Sequence, residues 1–262
     1  MPGIRTPAVA GFFYPADAEE VGVQVRRFIS DSRAGHIPPP KALIAPHAGY
    51  IYSGPIAGSA YAQLEQVADQ ISRVVILAPA HRIAFRGLAL SSADYFRTPL
   101  GDIEVDQAAL QDIAELPQVH LFDKAFDNEH SIEVHLPFLQ ETLTSFRILP
   151  LLVSDAKAEE VDEVLEHLWG GEETLILVSS DLSHYLDYES AKSMDAEASR
   201  AIEALRPEGL NRNHACGRTP VSGLLLAARR HQLTAATLDQ RNSGDTAGPR
   251  NQVVGYGAYA FY

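Results

Sequence analysis

Three apolar runs of the sequence each end in a turn that carries a histidine. The runs KALIA, VVILA and TLILV lead into turns that contain His47, His81, and the pair Asp181 and His184. Because ligands bind beyond the carboxyl ends of the strands in open α/β sheets, we expect these side chains to meet at one edge of a sheet. Imidazole nitrogens bind transition metals and carry protons near neutral pH. A single histidine at a strand end usually has a structural role, but three histidines at equivalent strand ends favour a metal or acid–base site.

The only cysteine of the chain, Cys216, lies among polar residues just before an apolar helical run. Thr219 followed by Pro220 is typical of a helix N-cap and first helical residue, so we expect a helix to begin there. A thiol near a helix N-terminus and beside Arg218 favours the thiolate, which is the form that binds metals or attacks electrophiles. The alternative, a small buried hydrophobic residue, fits the polar neighbours less well.

The segment DNEHSIEVH adds His130 and His135 to the candidates. In a helix over 130–144 these two side chains would point about 140° apart, so the pattern is not the H-E-x-x-H zinc motif. A polar, solvent-facing helix start and contacts around a metal or substrate are equally good interpretations. The glycine-rich fingerprints of nucleotide binding and the G-x-S-x-G elbow of serine hydrolases are absent from the sequence.

Composition excludes several classes of protein. The 262-residue chain is 46% hydrophobic and 21% charged, as in ordinary globular proteins. A formal net charge of −13 argues against nucleic-acid binding, which needs a basic surface. No apolar run reaches the roughly 18 residues that cross a bilayer, and the N-terminus does not resemble a secretory signal, so we expect no membrane association. The single cysteine cannot form an internal disulfide, which fits the reducing cytoplasm.

The hydrophobic periodicity predicts a single α/β domain over residues 1–262, with helices on both faces of a mixed central sheet. Strands that are apolar at every position are usually buried on both faces. Predicted helices cover 18–32, 55–69, 106–116, 130–144, 157–169, 188–206 and 220–232. Predicted strands cover 41–45, 74–78, 88–91, 146–153, 174–179 and 252–261, with a turn or hairpin at 96–104. The proline-rich stretch at 36–40 is expected to be a short connector.

Seven motifs occur in an order that resembles the Memo family across essentially the whole chain. They are AGFFYP at 10–15, PHAGY at 46–50, PAH at 79–81, EHSIEVHLP at 129–137, SSDLSH at 179–184, CGRTP at 216–220 and NSGDT at 242–246. The resemblance implies a fold like that of the class III extradiol ring-cleavage dioxygenases. It also implies one mononuclear metal ion held by His47, His81 and Cys216.

The same resemblance implies a substrate pocket beside the metal. Asp181 and His184 match the pair that lines this pocket, and His184 falls where the related dioxygenases keep an acid/base histidine, so these two are the expected catalytic residues. The expected pocket also contains Phe13, His130, His135 and Arg218. Prokaryotic members look like part of a set that includes a radical-SAM protein and a third small-domain protein. These are the implied functional partners, besides a small-molecule or peptide ligand.

One departure from the dioxygenases affects the metal. Those enzymes use two histidines and a carboxylate, which leave open faces on Fe(II), whereas here Cys216 supplies a thiolate. The thiolate is compatible with iron or copper, with zinc as the alternative. We therefore expect a metal-dependent, dioxygenase-like oxidoreductase that acts on a small molecule. The alternatives are a zinc-dependent hydrolase, a peptide or ligand-binding module without catalysis, and thiol catalysis by Cys216 without a metal.

Overall fold

The computed structural model describes residues 2–32, 35 and 37–262. Residue 36, at the start of the predicted connector, lies outside the described residues. Within the described part the α-helices are α1 (Ala18–Ser30), α2 (Tyr50–Tyr61), α3 (Gln107–Ile113), α4 (Leu136–Thr142), α5 (Ala158–Leu168), α6 (Tyr188–Glu203) and α7 (Arg218–Arg230). Across the same described ranges, no helix is both long enough and apolar enough to cross a membrane.

Helix α1 illustrates how the local sequence sets an element. The side chain of Asp17 caps the helix by accepting hydrogen bonds from the backbone N–H groups of Glu19 and Glu20. The buried side chains recur every four residues and form one face: Val21, Val25 and Ile29. The capping residue and the apolar periodicity are both local features of the sequence, and the predicted helix is confirmed.

The predicted helix over 130–144 is wrong in its first part. A single 3₁₀ turn at Glu133–His135 precedes the shorter α4, and Glu133 and His135 are fully buried rather than solvent-facing. Their side chains bond to other segments of the chain, and those long-range contacts override the local helical preference.

Helix α7 begins earlier than predicted, because Gly217, not Thr219, is its N-cap. A Cβ atom at Gly217 would lie 2.6 Å from the carbonyl oxygen of Ser179 and 2.7 Å from the Cβ of Ser180. The turn that precedes α7 therefore packs closely against a neighbouring loop, and only glycine fits there. This contact sets the helix start and places Cys216 directly before the cap.

The β-strands form a small sheet and a large one. They are β1 (Ile4–Arg5), β2 (Ala42–Ala45), β3 (Arg73–Pro79), β4 (Leu88–Leu90), β5 (Tyr95–Thr98), β6 (Gly101–Glu104), β7 (Val119–Leu121), β8 (Arg147–Val153), β9 (Thr174–Ser179), β10 (His184–Leu186), β11 (Ala235–Asn242) and β12 (Val253–Phe261). The small sheet has the order β1-β5-β6, and its antiparallel β5-β6 pair confirms the predicted hairpin.

The large sheet has the order β10-β12-β2-β9-β3-β8-β4-β7, and β11 also pairs with β12 in an antiparallel direction. Strands β2, β9, β3 and β8 run parallel at its centre. Strands β12 and β4 pair antiparallel with the outer members of this group. The predicted mixed sheet is therefore confirmed.

Helices cover both faces of the large sheet and complete three layers. One apolar cluster contains buried side chains of α1, α2 and α4, and the other contains those of α3, α5, α6 and α7. Along β3, Val74 and Ile76 belong to the first cluster and Val75 to the second. This alternation explains why the central strands are apolar at every position, and the predicted α/β/α architecture is confirmed.

The order of the central strands determines where the site forms. Strands β2, β9 and β3 are neighbours and parallel, so their carboxyl ends lie at one edge of the sheet. The loops that carry His47, Asp181 and His81 leave these three ends in turn.

Candidate metal centre

The three predicted metal ligands converge at this edge of the sheet. His47, His81 and Cys216 each offer a ligand atom, and these atoms lie within 4.8 Å of one another. The Sγ atom of Cys216 is 3.3 Å from Nε2 of His47, and the two imidazole centroids are 5.1 Å apart. Nitrogen and sulfur ligands of a tetrahedral metal ion lie roughly 3.5 Å apart, given metal–ligand bonds of about 2.0 and 2.3 Å. The donor set and its spacing therefore fit a transition metal ion.

His47 is held on two sides. Its backbone N–H donates to Oδ1 of Asp181 at 2.8 Å, and its ring Nδ1 lies 2.6 Å from the hydroxyl of Ser179. Burial lowers the pKa of the His47 ring, and the charges of the neighbouring histidines, His81 and His184 among them, lower it further. The ring is therefore neutral, which is the form that binds metals.

His81 is held by Glu129. The carboxylate accepts the backbone N–H of His81 at 2.6 Å and lies 3.0 Å from its Nδ1. Burial alone would raise the pKa of Glu129, but the hydrogen bonds and charge of His81 outweigh it and lower the pKa to about 2. A second cluster of potential ligands, His81, Glu129 and His130, also lies within 4.8 Å. Glu129 already accepts the backbone N–H groups of His130 and Ser131 as well, so its role is to orient the loop and the ring of His81.

Cys216 is less acidic than the sequence suggests. Burial and the nearby carboxyl of Asp181 raise the pKa of its thiol to about 12 in the protein alone. The backbone N–H of Asp181 donates to Sγ at 3.3 Å, but that contact and the start of α7 do not offset the loss of solvent. The predicted thiolate therefore depends on a bound cation.

The two expected catalytic residues occupy different environments. Asp181 is buried and its Oδ2 lies 3.9 Å from Nε2 of His47, so it borders the metal position. Burial raises the pKa of Asp181 to about 7. His184 is the first residue of β10 and lies at the solvent-exposed rim. The protein around its ring still removes part of the solvent, and this desolvation together with the charge of His81 lowers the pKa of His184.

Phe13 and His130 form an aromatic wall beside the ligands. Their ring centroids are 4.7 Å apart, and His130 in turn stacks on His81 at 4.9 Å. A groove of about 630 Å³ adjoins this wall and is lined by Ala8, Val9, Phe12, Phe13, Arg82, Ile83, Asp127 and Asn128. Phe13 therefore lines the groove, and His130 connects its ring to that of His81.

The other two predicted pocket residues, His135 and Arg218, do not line this groove. His135 is 1% exposed and sits behind Ser179, so it does not face the open groove. Arg218 is the first residue of α7, and among the described residues no carboxylate forms an ion pair with it. The sequence did not reveal the buried position of His135, because a 3₁₀ turn at Glu133–His135 replaces the start of the predicted helix.

Comparison with known proteins identifies a family for the chain. A family model described as Memo-like protein matches residues 5–260. The chain belongs to this family. A MEMO1 family protein of Aquifex aeolicus is 36% identical over 97% of both chains, and a protein memo-1 homolog of Caenorhabditis elegans is 31% identical over 88% of this chain and 73% of its own. A crystal structure of an uncharacterized protein from Escherichia coli K12 has a TM-score of 0.53 at 14% identity and covers 84% of this chain and 98% of that one, which shows a shared fold alone. The relation to class III extradiol dioxygenases stays a prediction.

Several residues that support the site of this Memo-like chain were not singled out from the sequence. Ser179 and Glu129 hold the rings of His47 and His81, and both lie within the motifs SSDLSH and EHSIEVHLP. Glu133 anchors the N-terminal segment that carries Phe13, by accepting hydrogen bonds from the guanidinium of Arg5, the backbone N–H groups of Ala8 and Val9, and the hydroxyl of Tyr14. A polar residue at the end of an otherwise apolar strand was the available signal for Ser179.

Proposed function

We propose that this Memo-like chain is a metal-dependent oxidoreductase that acts on a small molecule. The observation that carries the proposal is the convergence of two imidazole nitrogens and one thiol, from His47, His81 and Cys216, beside a groove. Two imidazoles and a thiolate form a soft donor set that suits iron or copper and disfavours magnesium or calcium. Such an ion supplies electron transfer and open coordination positions for a substrate.

The surrounding side chains have separate tasks in this proposal. Phe13 and His130 provide an aromatic wall against which an apolar substrate packs and excludes water. His184, at the exposed rim, accepts or returns a proton through its ring nitrogens, as an imidazole does near neutral pH. Asp181 keeps the His47 loop in place through the backbone N–H of His47.

The expected partners and location are proposed on other grounds. Functional association with a radical-SAM protein and a third small-domain protein rests on the family resemblance, and a cytoplasmic location rests on the single cysteine.

The ligand assignment is tested by elemental analysis after anaerobic purification, which protects the thiol from oxidation. The wild-type chain is expected to hold close to one iron or copper ion, and His47→Ala, His81→Ala and Cys216→Ser to lose most of it while remaining folded, since truncation of loop side chains leaves the apolar core intact. His120→Ala is the matched control, because His120 is exposed on the edge strand β7. Wild-type metal content in any two of the three ligand variants contradicts the assignment.

The oxidoreductase assignment needs a second measurement. Oxygen uptake by the metal-loaded protein is followed with a panel of small phenolic and heterocyclic substrates. Uptake that requires the metal and disappears in Cys216→Ser supports the proposal. Hydrolysis without oxygen uptake, or ligand binding without turnover, contradicts it and favours the zinc hydrolase or the binding module.

A further inference from the structure

The hydroxyl of Ser179 lies at a buried three-way junction behind His47. Its Oγ is 2.6 Å from Nδ1 of His47, 2.8 Å from Nε2 of His135 and 2.7 Å from the carbonyl oxygen of Ser131. A serine hydroxyl has one hydrogen to donate and two lone pairs to accept with. Three partners therefore use its full capacity, and each partner's role is fixed by the others.

The carbonyl oxygen of Ser131 decides the direction of every bond at this junction. A carbonyl can only accept, so the single hydrogen of Ser179 points to it. Both lone pairs of Ser179 are then left for the two imidazoles, and each ring must donate. The hydrogen of His47 consequently sits on Nδ1 and that of His135 on Nε2.

The contact of the other ring nitrogen of His135 agrees with this direction of the hydrogen bonds. Nδ1 of His135 lies 2.8 Å from the hydroxyl of Tyr61, and both residues are buried. A neutral His135 that carries its hydrogen on Nε2 has a lone pair on Nδ1, which accepts the hydrogen of Tyr61. Burial lowers the pKa of His135 to about 3 and raises that of Tyr61, so the ring is neutral and the phenol keeps its hydrogen. In the hydrogen-bond series from Tyr61 through His135 and Ser179 to His47, each donor then faces an acceptor.

From this geometry we infer that Ser179, backed by His135 and Tyr61, is a tautomer lock for the metal ligand His47. The lock keeps the hydrogen on Nδ1 and leaves the lone pair of Nε2 directed at the metal position, beside Sγ of Cys216 at 3.3 Å. Ser179, His135 and Tyr61 are positioning residues, because they act only through His47. The inference rests on the proposed metal site, and it adds which groups prepare one of its ligands.

The lock differs from the partner of the other histidine. His81 donates from Nδ1 to the carboxylate of Glu129, which also leaves Nε2 free, but with a negative charge behind the ring. Nδ1 of His47 instead faces the neutral hydroxyl of Ser179. Without the Ser179 hydroxyl, its Nδ1–H would have no acceptor in a buried site, and the ring would be free to move its hydrogen to Nε2, where it blocks the metal.

The test reads the tautomer directly, by two-dimensional ¹H–¹⁵N NMR of the histidine ring nitrogens in the full chain stripped of metal. The wild-type His47 ring is expected to be protonated at Nδ1, and Ser179→Ala to move it toward the Nε2-protonated or a mixed form. Ser179→Thr keeps a hydroxyl and is expected to restore the wild-type signal. Ser222→Ala, which removes a buried hydroxyl of α7 that has no hydrogen-bond partner among the described residues, is the matched control.

Metal binding provides a second measurement, by competition of Zn²⁺ between the protein and a chromophoric chelator. Loss of the lock is expected to weaken Zn²⁺ binding about 10- to 100-fold in Ser179→Ala, as for other groups that orient metal ligands, and not in Ser222→Ala. An Nε2-protonated His47 in the wild-type protein overturns the inference, whatever the variants do. So does a Ser179→Ala protein with unchanged tautomer and affinity. If the tautomer depends on Ser179 but His47→Ala still binds metal normally, the proposed metal site fails and the lock stands.

Discussion

At the scale of single residues, the two histidines of the centre are oriented by chemically different partners. Nδ1 of His81 faces the carboxylate of Glu129, whereas Nδ1 of His47 faces a hydroxyl. A carboxylate behind a ligating imidazole raises the basicity of the ring as well as fixing its orientation. The charge of Glu129 should therefore strengthen metal binding beyond what its geometry provides.

Replacing Glu129 with glutamine tests this charge. Glu129→Gln can keep a carbonyl oxygen in place of Oε1, which accepts from Nδ1 of His81 and from the backbone N–H groups of His130 and Ser131. The substitution removes the negative charge, and the amide nitrogen would then face the backbone N–H of His81 in place of Oε2. We expect Zn²⁺ affinity to fall about 10- to 100-fold in chelator competition. His184→Gln is the comparison, because His184 lies at the rim, and its affinity should stay at the wild-type value. An equal loss in both variants would make His184 a metal ligand instead of a proton carrier.

At the scale of elements, a buried aspartate joins the beginnings of a helix and a strand that leads to the site. Asp106 caps α3 by accepting the backbone N–H of Ala109 at 3.0 Å, and its other oxygen accepts Nε of Arg73 at 2.7 Å. Arg73 begins β3, the strand that delivers His81 at its other end. One carboxylate thus fixes both the helix and the strand.

This junction predicts a pH-dependent contribution to stability. Burial alone would raise the pKa of Asp106, but the Ala109 amide and the Arg73 guanidinium outweigh it and hold the pKa below its usual value. A lowered pKa in the folded state stabilises the fold above the unfolded pKa of about 3.9, and this stabilisation is lost as the pH falls through the folded pKa. Asp106→Asn should therefore cost about 1–2 kcal/mol at pH 7 and progressively less below about pH 4.

Urea unfolding of both proteins at pH 7 and pH 3 measures the effect. Asp102→Asn is a suitable control, since its ion pair with Arg97 is exposed and should contribute little at either pH. If Asp106→Asn lowers the free energy of unfolding by the same amount at both pH values, the loss comes from packing and not from the charge.

At the scale of the whole molecule, the centre joins loops that are far apart along the chain. His47 and Cys216 are separated by 169 positions, and their side chains touch. A metal ion held between them, as proposed, would link the loop after β2 to the turn before α7. Such a link would exist only in the folded state, so we expect metal binding to stabilise the fold.

Thermal unfolding with and without metal tests this coupling. Zn²⁺ at about 100 times its dissociation constant should add about 2.7 kcal/mol, equivalent to a rise in Tm of roughly 5–10 °C for a chain of this length. Cys216→Ser should lose most of the rise, whereas His120→Ala should keep it. The same rise in a His47→Ala, His81→Ala, Cys216→Ser triple variant would place the ion elsewhere on the molecule.

Local sequence patterns were sufficient for much of the architecture. The strands that are apolar at every position are central, because each buries one set of side chains under each helical layer. Their parallel order brings His47 and His81 together, as expected from their positions just beyond strand ends. Strand β11 was missed because its half-buried, polar side chains do not give the apolar pattern by which the central strands were recognised.

Other features were decided by contacts between distant segments. The interrupted helix before α4 exists because Glu133 and His135 bond to the N-terminal segment and to Ser179. The high pKa of the Cys216 thiol comes from burial beside Asp181, which the neighbouring residues in the sequence do not reveal. The sequence alone thus determined which residue types reach the edge of the sheet. Only the tertiary structure decided which nitrogen of each ring contacts Ser179 or Glu129, because Ser179 lies 132 positions from His47 and a hydrogen bond depends on proximity in space.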